Sequence, residues 1–420
     1  MSEVIGAGYT ERLLNESEVA SYIREAFNSR QVDGKRVLCI LPDNTRTAPI
    51  NLLFRLVYGE IADRTEALDF IIALGTHPPL TDDQINHRVG IQQVERQSRY
   101  PKARFFNHQW DDPDQLCAAG QFSAREVSEL SGGQINEEVS ITINKMVYEY
   151  DLLLIIGPTF PHEVVGFSGG NKYLFPGIAG QEIIHMFHWL GALITNPMII
   201  GNKHTPVRAV IDRAANFLPM ERMCMSLVVK DGGLAGLYIG TPEDAWESAS
   251  DLSEKIHIRY KDKPFHTVLS HMPEMYADLW TGGKGMYKLE PVVADGGTLI
   301  IYAPHITEIS VMHGKILKEI GYHVRDYFVK QPDRFKHIPG GVMAHSTHVK
   351  GIGKYEQGVE APRVNVVLAT GISEAICEQI NLGYRDPATI HIQDFINRED
   401  EGILYVPKAG EMLYRLRGSK

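Results

Sequence analysis

The chain reads as an α/β protein of two domains, each built on a mainly parallel sheet flanked by helices, with the active site in the cleft between them. Three observations predict this. Short apolar runs at residues 36–41 (RVLCIL), 67–74 (ALDFIIAL) and 151–157 (DLLLIIG) alternate with stretches of helical spacing. Each run ends directly in a polar or glycine-rich turn, where parallel sheets place their ligand sites. The length of 420 residues suits two such domains.

The elements follow in order. Residues 16–31 have helical spacing, with Asn15 or Ser17 as the cap. The strand at 36–41 ends in Pro42-Asp43-Asn44-Thr45-Arg46, and a helix starts near Pro49. Asp43 can accept from a ribose hydroxyl, and Arg46 can fork onto a phosphate or carboxylate. The strand at 67–74 runs into Gly75-Thr76-His77, and Thr81 with Gln84 has the spacing of a capping box. Residues 138–144 alternate as a strand does, while His108 is better read as a structural histidine. Beyond the strand at 151–157 lie a helix at 206–215, a hairpin of 223–229 with 234–239 about Asp231-Gly232-Gly233, and a helix at 243–255.

A polar break near 260 closes a first domain, 1–262, and a second βα series makes a domain of 263–401. Its strands are read at 267–270, 297–302 and 364–369, and its helices at 286–295 and 308–322. Residues 337–354 are rich in hydrogen-bonding groups, His345, Ser346, Thr347 and His348, and read either as groups for a polar substrate or as a solvated loop. A last strand opens the tail, 402–420, which is expected to pack back on the first domain.

Apolar residues make up 44% and charged residues 22%, as in an ordinary globular protein with a sizeable core. The net charge of −10 argues against a nucleic-acid binder. The four cysteines form no CxxC pair, so a reducing cytoplasm is expected. The opening MSEVIGAGYTERLL lacks the pattern of a signal peptide, and no apolar run has membrane-spanning length.

Chemistry concentrates in residues 157–190. Gly166, Gly169 and Gly170 surround Phe167 and Ser168, and Lys172 follows. Such glycines let a backbone approach a ligand and offer amides to an anion. This is not a nucleotide P-loop, because Tyr173 stands where that motif needs Ser or Thr. His162 and His188 bracket the turn, which suggests acid/base or metal chemistry. His185 reads as no more than a helix neighbour of His188.

The run His162-Glu-Val-Val-Gly-Phe-Ser-Gly-Gly-Asn-Lys172, then Pro176-Gly177 and His188, resembles the lactate racemase family. The resemblance extends along most of the chain, through Pro42–Pro49 (PDNTRTAP), Gly75-Thr76-His77 and Lys284-Gly285-Met286. It implies a racemase or epimerase, an isomerase of 2-hydroxy acids. Its cofactor would be the nickel-pincer nucleotide, pyridinium-3-thioamide-5-thiocarboxylic acid mononucleotide with nickel, attached covalently to Lys172. By the same resemblance His188 is the protein's nickel ligand, and His77 and His162 are the catalytic bases. Asp43, Arg46, Ser168, Gly169 and Gly170 face the cofactor, and Arg46, Lys284 and Thr281 the substrate. Proteins of a cofactor-biosynthesis system would be needed for the holo form.

The residue types agree with that chemistry. Inverting C2 of a 2-hydroxy acid needs a base for each enantiomer, a hydride acceptor and a cationic clamp for the carboxylate. Amino acids supply no hydride acceptor, and no GxGxxG follows the first strand to bind free NAD. Pro78 and Thr281 depart from the lactate-type pattern of Arg and Gln, which predicts a substrate larger or more polar than lactate. Two other readings stand beside this one. One is a phosphate-binding kinase or hydrolase using the glycine-rich turn, and the other is a nickel-binding or delivery protein without turnover.

Overall fold

The structure is a computed structural model that describes residues 4–418; the first three residues of the opening stretch and the last two of the tail lie outside it. The chain divides into two compact units. The first takes Met1–Phe160, Phe167–Ile184 and Arg208–Ile256; the second takes Pro161–Gly166, His185–Val207 and His257–Lys420.

The sheet of the first unit has seven strands, in the order Ile5–Gly8, Gly233–Gly240, Glu221–Lys230, Leu152–Pro158, Arg36–Pro42, Ala67–Ala73 and Ala103–Asn107. The last five of these run parallel. Gly233–Gly240 runs antiparallel to both its neighbours, Ile5–Gly8 and Glu221–Lys230, and a hairpin at Asp231-Gly232 joins it to the latter. Both turn residues have positive φ, 51° and 80°, as the tight turn between twisted strands requires. Every residue of Leu152–Pro158 is buried, which explains its unbroken apolar run.

Helix Glu16–Asn28 begins in a capping box of Asn15 with Glu18, and Asp82–Val89 in one of Thr81 with Gln84. The first helix covers the sheet with Val19, Ile23, Ala26 and Phe27.

The second unit has a five-stranded sheet, all parallel, in the order Gly383–Tyr384, Asn365–Thr370, Val293–Ala303, Phe265–His271 and Ile403–Val406. Mainly parallel sheets flanked by helices are therefore present in both units. Among the described residues, no helix is long and apolar enough to cross a membrane.

Several expectations need correction. The last stretch of the first unit closes at Ile256 and the second resumes at His257, with residues 161–166 and 185–207 also in the second unit. Strand Ile403–Val406 of the tail pairs with Phe265–His271, and Leu413–Leu416 pairs with Ile258–Lys261, all in the second unit. The tail thus supplies an edge strand to the sheet of the second unit.

Residues 286–295 are not one helix. Asp278 caps a four-residue helix, Leu279–Gly282, a second follows at Lys284–Tyr287, and Pro291 sits in a 3₁₀ turn. The strand then starts at Val293. The helix expected at 308–322 shrinks to Gly314–Ile320.

Residues 340–350 form a helix, Gly340–Lys350, and not a solvated loop. Ser346 is buried there with its hydroxyl paired on both sides. Ser346 Oγ donates to Gly321 O (2.8 Å) and accepts from His323 N (3.0 Å).

One glycine controls how the central strand meets the site. A Cβ on Gly157 would run into the Tyr173 ring. Gly157→Ala is therefore expected to cost about 1–3 kcal/mol through forced repacking of Tyr173, read as a lowered urea midpoint with an unchanged slope.

Candidate functional site

In the first unit the parallel register sets two loops side by side. Pro42 pairs with Ala73, so the turns that follow these residues are neighbours. Asp43 opens one and His77 lies in the other. The Asp43 carboxylate makes a very short hydrogen bond to His77 Nδ1 through Oδ2. Its Oδ1 accepts from Thr45 N (3.0 Å) and Thr45 Oγ1 (2.7 Å). Burial opposes ionisation, yet His77, Arg46 and Thr45 outweigh it and hold this carboxyl well below the usual carboxylate range. With Nδ1 engaged, the His77 ring is oriented and Nε2 is the nitrogen left for a ligand.

Arg88 braces the same turn, donating to Arg46 O (2.8 Å) and Pro42 O (3.3 Å). The Asp43 carboxylate thus serves His77 and Thr45 together.

The turn bearing Lys172 is held from behind, also within the first unit. Ser168 Oγ donates to Pro158 O (3.0 Å) and accepts from Phe160 N (2.9 Å). Trp246 Nε1 donates to Ser168 O (2.9 Å). Arg208 stacks on the Trp246 ring (4.1 Å) and donates to Phe167 O and Gly169 O. Burial lowers the Arg208 guanidinium to about 10. Asn171 Nδ2 spans Asp212 Oδ1 (3.0 Å) and Glu243 Oε1 (2.7 Å).

Gly169 (φ 91°) and Gly170 (φ 58°) are required twice over, by positive φ and by the absence of room for a Cβ against Trp246. The Ser168 hydroxyl thus spends its hydrogen on the turn itself. Lys172 is partly exposed at its end.

Tyr173 was missed by sequence reading. Its hydroxyl is buried without a hydrogen-bond partner, in the fields of Arg46, Asp43 and Arg88, and burial raises it above the ordinary phenol range.

The second unit holds the remaining candidates. His162 is buried, and its Nδ1 lies 3.2 Å from both Val164 N and Glu163 Oε2. His188 is partly exposed on helix Gln181–Ile194. Lys284 is buried with its ammonium 4.7 Å from the Tyr276 ring centroid. Thr281 Oγ1 donates to Asp278 Oδ1 (2.8 Å), so only its lone pairs remain for a substrate.

Beside these lies an aromatic and imidazole cluster. Trp280 stacks on His345 (4.2 Å between centroids) and meets His313 (4.6 Å). Tyr322 Oη and His345 Nε2 are 3.4 Å apart. Burial, with the fields of His348, His313 and His188, drives His345 far below its ordinary value, and burial alone dominates in lowering His348 to about 4. Both rings are neutral near pH 7. Trp280 and His313 were also missed, since only the fold brings His313 and His345 onto the Trp280 ring. His108 is structural as expected, with Nε2 2.9 Å from Ala179 O and Nδ1 3.3 Å from Asn144 Nδ2.

Among the described residues no group of three or more His, Cys, Asp or Glu could hold a metal ion. His188 carries an imidazole and Lys172, on a braced turn, an amine, the donor types that the expected nickel-pincer nucleotide would use.

The chain is similar to known proteins along these same segments. The lactate racemase N-terminal domain model matches residues 11–198. The lactate racemase of Thermoanaerobacterium thermosaccharolyticum is 25% identical over 64% of this chain, and that of Lactiplantibacillus plantarum 24% over 71%. The matched regions span 60% and 68% of those relatives' own lengths. A crystal structure of a Thermotoga maritima protein superposes with a TM-score of 0.90 at 32% identity, covering 98% of this chain and 100% of that one. The lactate racemase apoprotein from T. thermosaccharolyticum has the same fold, with a TM-score of 0.71 at 18% identity over 98% of this chain and 100% of its own.

The Asp43–His77 pair has a pH signature. A carboxyl depressed on folding adds stability above its unfolded value, near ~4, and that stability is lost as pH falls below it. Asp43→Asn should therefore be less stable than wild type at pH 6, and the gap should narrow steadily below about pH 4. Urea midpoints for both proteins across that range check it. Parallel curves would mean that the carboxyl is not depressed.

Proposed function

The chain belongs to the lactate racemase family, and from that premise we propose that it is an isomerase, a racemase or epimerase that inverts C2 of a 2-hydroxy acid. The observation that carries the reading is the Asp43–His77 pair at the ends of two adjacent parallel strands. It is the arrangement that makes an imidazole a directed base.

The chemistry divides among named residues. His77 Nε2 takes the hydroxyl proton of one enantiomer and returns it after the centre has been rebuilt; Asp43 steadies the imidazolium that forms in between. His162, in the tautomer whose Nδ1–H faces Glu163 Oε2 (3.2 Å), does the same for the other enantiomer. As the hydroxyl proton leaves, C2 gives up its hydrogen with the electron pair and a 2-keto acid results. Return of that hydride to the opposite face inverts the centre. The nickel-pincer nucleotide, when bound, supplies the hydride acceptor that no side chain can. Lys172 would hold it covalently, and His188 would be the protein's ligand to nickel. Arg46 and Lys284 each carry a cation suited to the carboxylate. Proteins that make the cofactor are implied for the holo form.

The substrate is read as larger or more polar than lactate. Trp280 and Thr281 stand just before Lys284 in the chain, and Trp280 packs on His313 and His345. Neutral imidazoles both donate and accept, which matches substrate hydroxyls better than a methyl group.

Two experiments test this reading. Protein co-expressed with the cofactor pathway should show a covalent mass increment and bound nickel, and Lys172→Ala should lose the increment; an adduct surviving in Lys172→Ala would overturn the attachment. With holo enzyme, an aldonate should be epimerised at C2 with a kcat/KM at least ~100-fold above lactate's, because buried polar groups penalise a substrate that leaves them unpaired. Lactate emerging as the best of a panel with malate, a phenyl-substituted hydroxy acid and aldonates would refute the substrate class.

A further inference from the structure

The Lys172 side chain leaves a 3₁₀ turn, Gly170–Tyr173, in which the backbone of residue 172 is spent at both ends. Its N–H donates to Gly169 O (3.3 Å), and its carbonyl accepts from Gly177 N (3.1 Å). The side chains before and after it are both buried. Tyr173 has its ring where a Cβ on Gly157 would fall, and Asn171 is 1% exposed. The direction of the lysine stem therefore follows from how Asn171 and Tyr173 are held.

Asn171 is held by its amide. One Nδ2 hydrogen goes to Asp212 Oδ1 (3.0 Å) and the other to Glu243 Oε1 (2.7 Å). Two carboxylates can be served together only by the NH₂ side of an amide, which fixes the way this side chain faces. Hydrogen bonds to ionised acceptors are also the stronger kind. Asp212 is kept in place against a cost. Burial raises its carboxyl above the ordinary range and Glu243 adds to the rise, while Arg208 and the Asn171 bond oppose it.

Helix spacing shows what that carboxyl is part of. Asp212 follows Arg208 by four residues on helix Pro206–Ala215, and Glu243 precedes Trp246 by three on helix Pro242–His257. Each pair shares one helix face. Arg208 and Trp246 donate to the carbonyls of Phe167, Ser168 and Gly169. Asp212 and Glu243 accept from the side chain of Asn171. Each helix thus gives one donor and one acceptor to the same turn, all within the first unit. All four residues stand outside the motif that runs from His162 to His188.

We propose that Asp212 and Glu243 are positioning residues for the Lys172 amine, acting through the amide of Asn171. This role rests on the reading of Lys172 as the attachment point of the cofactor. Forming a bond to a large group requires the amine to stay in one orientation while the group arrives. With either acceptor gone, Asn171 keeps a single bond about which its amide swings, and the turn at residue 172 opens more often.

The test compares two pairs of variants. Asp212→Asn and Glu243→Gln keep an oxygen acceptor, whereas Asp212→Ala and Glu243→Ala remove it. Glu243 faces solvent, so its variants should fold. In the apo protein, amide exchange at Lys172 and Leu174 should speed by about tenfold in the alanine variants. It should change little in the Asn and Gln variants, with the strand Leu152–Pro158 as the unchanged internal reference. After co-expression with the cofactor pathway, intact mass should show the covalent increment lost in the alanine variants and kept in the Asn and Gln variants.

A brace that serves the fold alone would lower the unfolding midpoint of the alanine variants and leave the increment whole, which would overturn the proposal. Asn and Gln variants as defective as the alanine ones would overturn it too, since the acceptor would then not be what matters. No increment in the wild type would sink the attachment reading instead, and the clamp on Asn171 would stand or fall on the exchange pattern.

Discussion

Strands buried on both faces leave a chain one place for polar chemistry, and this constraint organises the molecule. Leu152 to Pro158 has no solvent-facing side, and its neighbours Arg36–Pro42 and Ala67–Ala73 are buried beyond their first residues. Any charged group among them would need a partner at once, as Asp69 has in Arg104 and Tyr150. Polar groups without such partners collect at the carboxyl ends. Because the strands are parallel and in register, those ends lie together, and Asp43 reaches His77 across two loops.

The turn bearing Lys172 shows how rigidity is obtained without regular structure. Its carbonyls, which neither helix nor sheet satisfies, are taken by the guanidinium of Arg208 and the indole of Trp246. A buried arginine is tolerable there because it replaces lost water with several fixed acceptors and a stacked ring. The consequence is an amine presented on a braced turn. Preorganisation of that kind is what covalent attachment of a large group requires.

In the second unit polarity is handled by neutrality instead of pairing. His345 and His348 are buried deeply enough to stay uncharged, and Trp280 fills the space between His345 and His313. Uncharged rings keep both donor and acceptor capacity without the desolvation penalty of a cation. The polar helix Gly340–Lys350 is stable inside the unit for the same reason.

The sequence by itself determined the local elements, because their signals are local. Apolar runs marked the buried strands, Asn15 with Glu18 and Thr81 with Gln84 marked helix starts, and Asp231-Gly232 marked the hairpin. The order of short motifs about Lys172 was enough to mark the family. Strand register and the packing of distant segments were decided only by the tertiary structure. Nothing near Asp43 in the chain shows that it pairs with His77. Nothing near Trp280 shows that it lies between two histidines. The same holds for the tail, whose strands pair in the second unit, and for residues 340–350, which become a buried helix. Pairing across dozens of residues is a property of closed space, which periodicity and spacing do not encode.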